Sequence, residues 1–250
     1  MLLYTDRTDV DLDELRDFLR RHLLEDILPF WERYGFSSER PGLDVCLSDD
    51  GRLLSEDRYI RSQLRAIWTF AALYNRIEKR DVWLQHAVDL FEFCAEYGRD
   101  EAGDWCFRVS PDGRILDGPL SIFTSGFAIY GMAELYRATG DRRVLDTALE
   151  TVSRVLPKLD RWDTLRIAPR EIPPGMKTHS VPMIFSSVFD ALSEVVEDPE
   201  IEEAARVYCH EVMDNYLRPD QDGLLYEYLN LDNSLAATPT GRVIVPGHAI

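Results

Sequence analysis

The sequence predicts an all-α fold in which an inner ring of helices is enclosed by an outer one, a helical toroid with short β-hairpins gathered at one end. Three observations predict it. Apolar residues recur at helical spacing in seven successive segments. Asp50-Gly51-Arg52-Leu53-Leu54 returns as Asp112-Gly113-Arg114-Ile115-Leu116, with a fainter third copy in Asp222-Gly223-Leu224-Leu225. Each copy follows an odd-numbered segment and precedes an even-numbered one, the mark of one supersecondary unit used several times. The even-numbered segments are apolar nearly all round while the first is amphipathic, and helices apolar all round belong inside.

The first helix is expected from Asp11 to about Trp31, on Leu12, Leu15, Phe18, Leu19, Leu23, Ile27 and Phe30, with Asp11 as its cap and Pro29 disturbing its last turn. Leu43 to Leu47 then alternates into the turn signal Asp50-Gly51, and Arg52-Leu53-Leu54 returns. The second helix spans about Tyr59 to Lys79, and the third runs from Asp81 to Tyr97 and closes at Gly98. Trp105 to Val109 and Arg114 to Leu116 flank the second turn. The fourth helix runs from about Leu120 to Ala138 before Gly140, and the fifth from Arg143 to Leu156 before Pro157. A proline-rich connection, Lys158 to Thr178, leads to a sixth helix from Val181 to Val196 and a seventh from Pro199 to Tyr216. Leu224 to Tyr228 is extended. A polar loop ends in Pro246-Gly247-His248-Ala249-Ile250, where proline and the apolar residues after it suit the first turn of another helix.

Composition narrows the function. Lys and Arg number 28 against 45 Asp and Glu, a net charge of −17, which repels phosphate backbones and anionic lipid. Neither nucleic acid nor a membrane is an expected partner. The apolar run from Ile67 to Tyr74 is too short to span a bilayer, and Met1-Leu2-Leu3-Tyr4 passes at once into acidic residues without a signal pattern. Cys46, Cys94, Cys106 and Cys209 lie far apart with no CxxC spacing, which suits reduced thiols in a cytoplasmic protein. No metal, dinucleotide or P-loop motif is present, so neither a metal nor a cofactor is expected.

Four segments carry a resemblance. Arg61-Ser62-Gln63-Leu64-Arg65-Ala66-Ile67-Trp68-Thr69-Phe70, Ser121 to Asp141, Val181-Pro182-Met183-Ile184 and Pro246-Gly247-His248 stand in this order, the first three on alternate helices. Together they resemble the N-acylglucosamine 2-epimerase family of sugar epimerases and aldose–ketose isomerases. The resemblance implies an (α/α)6 barrel acting on a small reducing sugar, N-acylglucosamine or a related hexose, and the Val181 segment is closer to the acylglucosamine branch than to the cellobiose branch. Twelve helices need roughly 360 residues at about 30 per helix and connection. The resemblance therefore implies that the whole chain, 1–250, corresponds to one domain, the N-terminal part of such a barrel. The family's glutamate and second catalytic histidine would follow Ile250. An incomplete ring leaves apolar faces uncovered, and a homodimer is one way to cover them.

Moving a proton at C2 of an opened sugar needs acid/base groups flanking the carbon and donors for the enediolate oxygens. His248 matches the family's first histidine, against the alternative of an ordinary helix-end residue. Arg65, on a helix expected to be buried, is either a fork of donors onto sugar oxygens or half of a structural ion pair. Gln63 and Arg61 are further substrate candidates, Arg61 being equally suited to solvent. Glu227 would orient His248 or bind a hydroxyl, or lie on the surface, and His179 at the mouth of the sixth helix is a candidate substrate contact. His22, His86 and His210 read as surface or packing residues, and Trp68, Tyr130 and Trp105 as core. Two other readings stay open: an (α/α)6 glycoside hydrolase, which needs two carboxylates about 5–9.5 Å apart, and a non-catalytic carbohydrate-binding protein.

Overall fold

The computed structural model describes residues 11–221 and 223–248. Among these, seven helices stand in the expected order, with strands after the first, third, fifth and seventh. Helix α1 comprises Leu12–Arg21, a widened turn His22–Ile27, and Leu28–Tyr34, and Asp11 caps it by accepting from the N–H groups of Asp13 and Glu14. The helix passes through Pro29 because the widened turn directly precedes it. An i→i+5 turn relieves the clash of a proline ring with the carbonyl four residues back. Helix α2 is Ile60–Ala72 with a widened last turn Leu73–Ile77, α3 is Asp81–Tyr97, α4 is Ile122–Thr139 and α5 is Arg142–Val155. Helix α6 is Ser180–Ser193, and α7 is Pro199–Glu211 continued by Val212–Tyr216.

The packing follows the apolar arcs. Helices α2, α4 and α6 lie side by side, and α3, α5 and α7 back onto α2, α4 and α6 respectively. One main core runs through all of them, with Ile67, Met132, Leu135, Phe185 and Phe189 fully enclosed. Gly131 permits the α2–α4 contact, since a Cβ there would stand 2.5 Å from the Leu64 carbonyl oxygen. The outer helices are tied by exposed ion pairs such as Arg143–Glu92, and α1 joins α3 through the Trp83 indole N–H donating to Glu32 at 2.8 Å. On α1, Leu12, Leu15, Phe18 and Leu19 remain exposed as an apolar stripe. No described helix is long and apolar enough to cross a membrane.

The repeat is visible in atomic detail. Strands β1 (Phe36–Ser37) and β2 (Arg40–Leu43) pair, then β3 (Cys46–Leu47) pairs with β4 (Leu53–Ser55) across the Asp50-Gly51 turn. Strands β5 (Arg58–Tyr59), β6 (Arg108–Val109) and β7 (Ile115–Asp117) form a three-stranded sheet across the Asp112-Gly113 turn. Gly51 and Gly113 both adopt φ +84°, and a Cβ on either would collide with the ring of the tyrosine that ends the preceding outer helix, Tyr34 or Tyr97. The expected strand from Leu43 to Leu47 is broken at Asp44. That side chain turns inward to pair with the fully buried Arg58 at 2.6 Å, while the Arg58 guanidinium also donates to the Pro41 and Glu56 carbonyls.

Of the third copy, Asp222 lies outside the described residues. Gly223 has φ +68°, and β9 (Leu217–Arg218) pairs with β10 (Leu224–Leu225). Met1 to Tyr4 and the pair Ala249-Ile250 are also outside them. Pro246–His248 forms a single 3-10 turn. The thiols are unpaired as expected, although Cys209 is exposed and Cys46 only half-buried.

Candidate active site

Three chain segments meet where the expected extended stretch after Gly223 is interrupted. Strand β8 (Met176–Thr178) ends the α5–α6 connection and pairs with β11 (Tyr228–Asn230), Thr178 opposite Tyr228. Glu227 sits just before β11 and is pinned by its backbone. Its carbonyl accepts from the His179 N–H and its own N–H donates to Val243 O, both at 2.8 Å. A small apolar cluster of Tyr216, Tyr226 and Leu229 supports this junction. The backbone of one glutamate thus joins the start of α6 to the loop that carries His248.

The side chains complete the junction. Glu227 is 2% exposed, and one carboxylate oxygen accepts from the Thr178 hydroxyl at 2.8 Å. Because Thr178 donates there, the Ser180 hydroxyl donates to Thr178, at 2.9 Å. The other oxygen lies 2.7 Å from Nδ1 of His248. An ionised carboxylate only accepts, so Nδ1 is the donor in this contact, and in the neutral ring Nε2 is then the nitrogen with the lone pair. The His248 side chain is 25% exposed, which leaves that nitrogen on the accessible side of an otherwise buried group.

His179 stands behind this pair, 1% exposed, with Nδ1 3.9 Å from the same Glu227 oxygen and its ring 6.0 Å from that of His248. Burial lowers its pKa, Glu227 works against that and His248 adds to it, so the ring is neutral near pH 7. Its Nε2 is buried without a hydrogen-bond partner among the described residues, and so is the hydroxyl of Tyr216, whose ring is 5.5 Å away. Burial, followed by Glu211 and Glu227, pushes the Tyr216 pKa up and keeps its proton in place. Beside it Lys177, also buried, pairs with Glu211.

His179, Glu227 and His248 offer ligand atoms within 4.8 Å of one another, a donor set that could hold a metal. The 2.7 Å contact is nevertheless a hydrogen-bond distance that needs a proton between nitrogen and oxygen. As it stands the arrangement is a carboxylate-oriented imidazole.

The structure therefore brings together three of the six residues named from sequence. The three on α2 are elsewhere in contact terms: none makes a hydrogen bond or ion pair with the cluster. Arg65 is not buried, contrary to expectation. It lies on the exposed stripe of α2 with its guanidinium 5.2 Å from the centre of the Phe127 ring, and it has no acidic partner among the described residues. Arg61, one turn earlier, is half-buried, and burial with Arg65 beside it lowers its pKa. Gln63 is a structural clasp rather than a free ligand. Its amide accepts from the Leu43 N–H at 2.6 Å and donates to the Leu43 carbonyl at 2.8 Å, which uses both ends.

Trp68 and Tyr130 are half-buried and stacked on each other at 5.1 Å, whereas Trp105 is core, its N–H donating to Thr151. His22 and His210 are exposed beside Asp26 and Asp214, and His86 packs at 3.9 Å on Phe36. Sequence reasoning missed Thr178 and Tyr216. Tyr216 had a signal, because Tyr34, Tyr97 and Tyr216 each end an outer helix just before a hairpin.

Known proteins are similar to this chain in architecture and in sequence. The structure of cellobiose 2-epimerase from Bacillus thermoamylovorans B4167, an (α/α)6 barrel, is similar with a TM-score of 0.76 at 18% identity, covering 89% of this chain and 61% of that one. N-acylglucosamine 2-epimerase from Bos taurus is 26% identical over 234 residues, 91% of this chain and 55% of the relative. Cellobiose 2-epimerase from Dictyoglomus turgidum is 30% identical over 146 residues, 56% of this chain and 36% of the relative. The chain thus spans about half the length of the curated relatives it matches. Residues 42–250 match the family described as N-acylglucosamine 2-epimerase (GlcNAc 2-epimerase), and the chain belongs to that family.

Proposed function

We propose that this chain carries half of the acid/base machinery of a sugar isomerase that moves a proton at C2 of a reducing sugar, N-acylglucosamine or a related hexose. The observation that carries the reading is the 2.7 Å contact between His248 Nδ1 and a buried Glu227 carboxylate. A general base needs an unprotonated nitrogen near neutral pH, held in one direction. The Glu227 contact supports both requirements, by fixing the tautomer and the ring plane. When Nε2 takes the C2 proton, Glu227 stabilises the imidazolium that forms, and the proton then returns to C2 or to C1.

The other candidates take supporting parts. An unpartnered buried nitrogen costs the fold about 1–3 kcal/mol unless something binds it. That supports assigning His179 Nε2 to a substrate hydroxyl, with the Tyr216 hydroxyl as a second donor. Arg65, unpaired beside Phe127, is assigned to sugar oxygens or the enediolate, and Arg61 to the same stripe. The exposed apolar stripe on α1 supports self-association of this chain, and a monodisperse monomer in gel filtration would count against it.

Product analysis tests the reading. Full-length protein incubated with N-acetylglucosamine, N-acetylmannosamine, glucose, mannose and cellobiose should interconvert epimers or aldose and ketose with no glycosidic cleavage. His248→Gln should lower that rate on the order of 10²–10⁴. New reducing ends from a glycoside would point to a hydrolase. Sugar binding without turnover, unaffected by His248→Gln, would point to a binding protein.

A further inference from the structure

A pocket of about 370 Å³ lies away from Glu227 and His248, between the β7–α4 connection, the start of α4 and the residues that follow α5. Its chemistry differs from that of the rest of the molecule. Lys158, Arg161 and Arg166 line it against a single acid, Asp104, in a chain whose net charge is −17. Asp104 is already neutralised by Lys158, whose ammonium reaches its two oxygens at 2.8 and 2.9 Å. Arg161 and Arg166 make no side-chain hydrogen bond or ion pair among the described residues, although acids are abundant elsewhere on the surface.

The floor of the pocket is the N-terminus of α4, an 18-residue helix. Ser121 occupies its N-cap position with extended backbone, yet its side chain caps nothing. The Ser121 hydroxyl is buried, the residue being 6% exposed, and has no hydrogen-bond partner among the described residues while lining the pocket. A serine at an N-cap ordinarily accepts from an N–H of the first turn. Here the Thr124 N–H donates to the Ser121 carbonyl at 3.1 Å, and the Ile122 N–H donates to Arg166 O at 2.8 Å, which ties the arginine-bearing loop to the helix start. Ser125, one turn along, adds a second hydroxyl to the lining. The positive end of a helix dipole, an unspent buried hydroxyl and two unpaired guanidiniums thus surround one volume, which is large enough for a small organic molecule.

We propose that this pocket binds a phosphate group, free or as the monoester of a sugar-sized molecule, at a site separate from the one built on Glu227. The two arginines pair with the oxyanion, and the Ser121 hydroxyl donates to it at the helix start.

Calorimetric titration of the chain with inorganic phosphate and, separately, with glucose 6-phosphate, each to about 10 mM at constant ionic strength so that screening is fixed, tests this. Saturable one-site binding of either is expected, and the tighter of the two identifies free phosphate or a monoester as the source. The double variant Arg161→Gln/Arg166→Gln should weaken it at least tenfold, since each charge-assisted contact is worth that much. Ser121→Ala should weaken it several-fold. Arg142→Gln, which removes an exposed pair with Asp146, should leave binding unchanged, and so should His248→Gln, which keeps the outcome independent of the isomerase reading. Both pocket arginines are exposed, so the double variant should keep the wild-type circular dichroism spectrum. No saturable binding of either ligand overturns the proposal. So does binding that survives the double variant, or binding lost equally in Arg142→Gln.

Discussion

Removing the Glu227 side chain should change which nitrogen of His248 carries the proton. The carboxylate is almost fully buried and accepts from the imidazole at 2.7 Å, so it holds the Nδ1–H tautomer. A hydrogen bond to a charged group contributes about 1.5–3 kcal/mol, roughly a 10- to 150-fold bias in the tautomer ratio. Glu227→Ala forfeits all of it. Glu227→Gln forfeits less: its amide oxygen can still accept from Nδ1 while its NH2 donates to Thr178, whose hydroxyl can turn toward Ser180. A neutral bond then replaces a charged one, a loss of about 1 kcal/mol or fivefold in the ratio. The backbone bonds of Glu227 to His179 and Val243 remain in both variants, so the segment should stay folded. Nitrogen-15 shifts of labelled histidine, recorded above the ordinary imidazole pKa, read the tautomer directly. The order of Nδ1–H population should be wild type, then Gln, then Ala. A His248 ring protonated on Nε2 in the wild type, or equal ratios in all three proteins, would refute the assignment.

Two further outcomes concern stability. Gly113→Ala places a Cβ about 2.0 Å from a Tyr97 ring atom at φ +84°, whereas Gly175→Ala, at φ +74° with nothing within 4 Å, carries only the backbone penalty. Urea denaturation should show Gly175→Ala losing about 1 kcal/mol and Gly113→Ala clearly more, and equal losses would deny the glycine–tyrosine contact its part in the repeat. For His179, the folded pKa lies below the ordinary 6.5, so the unfolded chain binds the proton first as pH falls. Its contribution is therefore intact above pH 6.5 and lost progressively below it, by at most about 1.4 kcal/mol per pH unit. Stability measured from pH 7.5 down to 5 should fall less steeply in His179→Gln than in wild type, and parallel curves would contradict the burial argument.

The features that were legible in the sequence are those carried by local pattern. Seven helices and the hairpins at the Asp-Gly turns follow from periodicity and turn chemistry, whereas the pairing of Glu227 with His248 was one of three readings of Glu227 and came from the family resemblance. What escaped was fixed by long-range pairing. Asp44 leaves its expected strand because Arg58, 14 residues on, needs a buried counter-charge, and Gln63 is consumed by a backbone 20 residues away. Thr178 reaches Glu227 across 49 residues. Arg65 was expected to be buried because α2 is apolar over a wide arc. Helix α4 covers only part of that arc, and a stripe through Arg65 and Thr69 stays open. Tyr216 was readable in principle by position, since Tyr34 and Tyr97 likewise end outer helices before a hairpin. Only those two pack on the turn glycine, however, nothing lying within 4 Å of a Cβ on Gly223.

Exchange of the C2 hydrogen with solvent tests the central claim most directly, because it reports proton removal whatever product forms. With the full-length protein in D2O, the C2 proton signal of an accepted sugar should disappear, and His248→Gln should slow that loss on the order of 10²–10⁴-fold. Epimerisation or isomerisation that proceeds equally well in His248→Gln, or no exchange at C2 of any hexose or N-acylhexosamine, would contradict an imidazole held by Glu227 as the base.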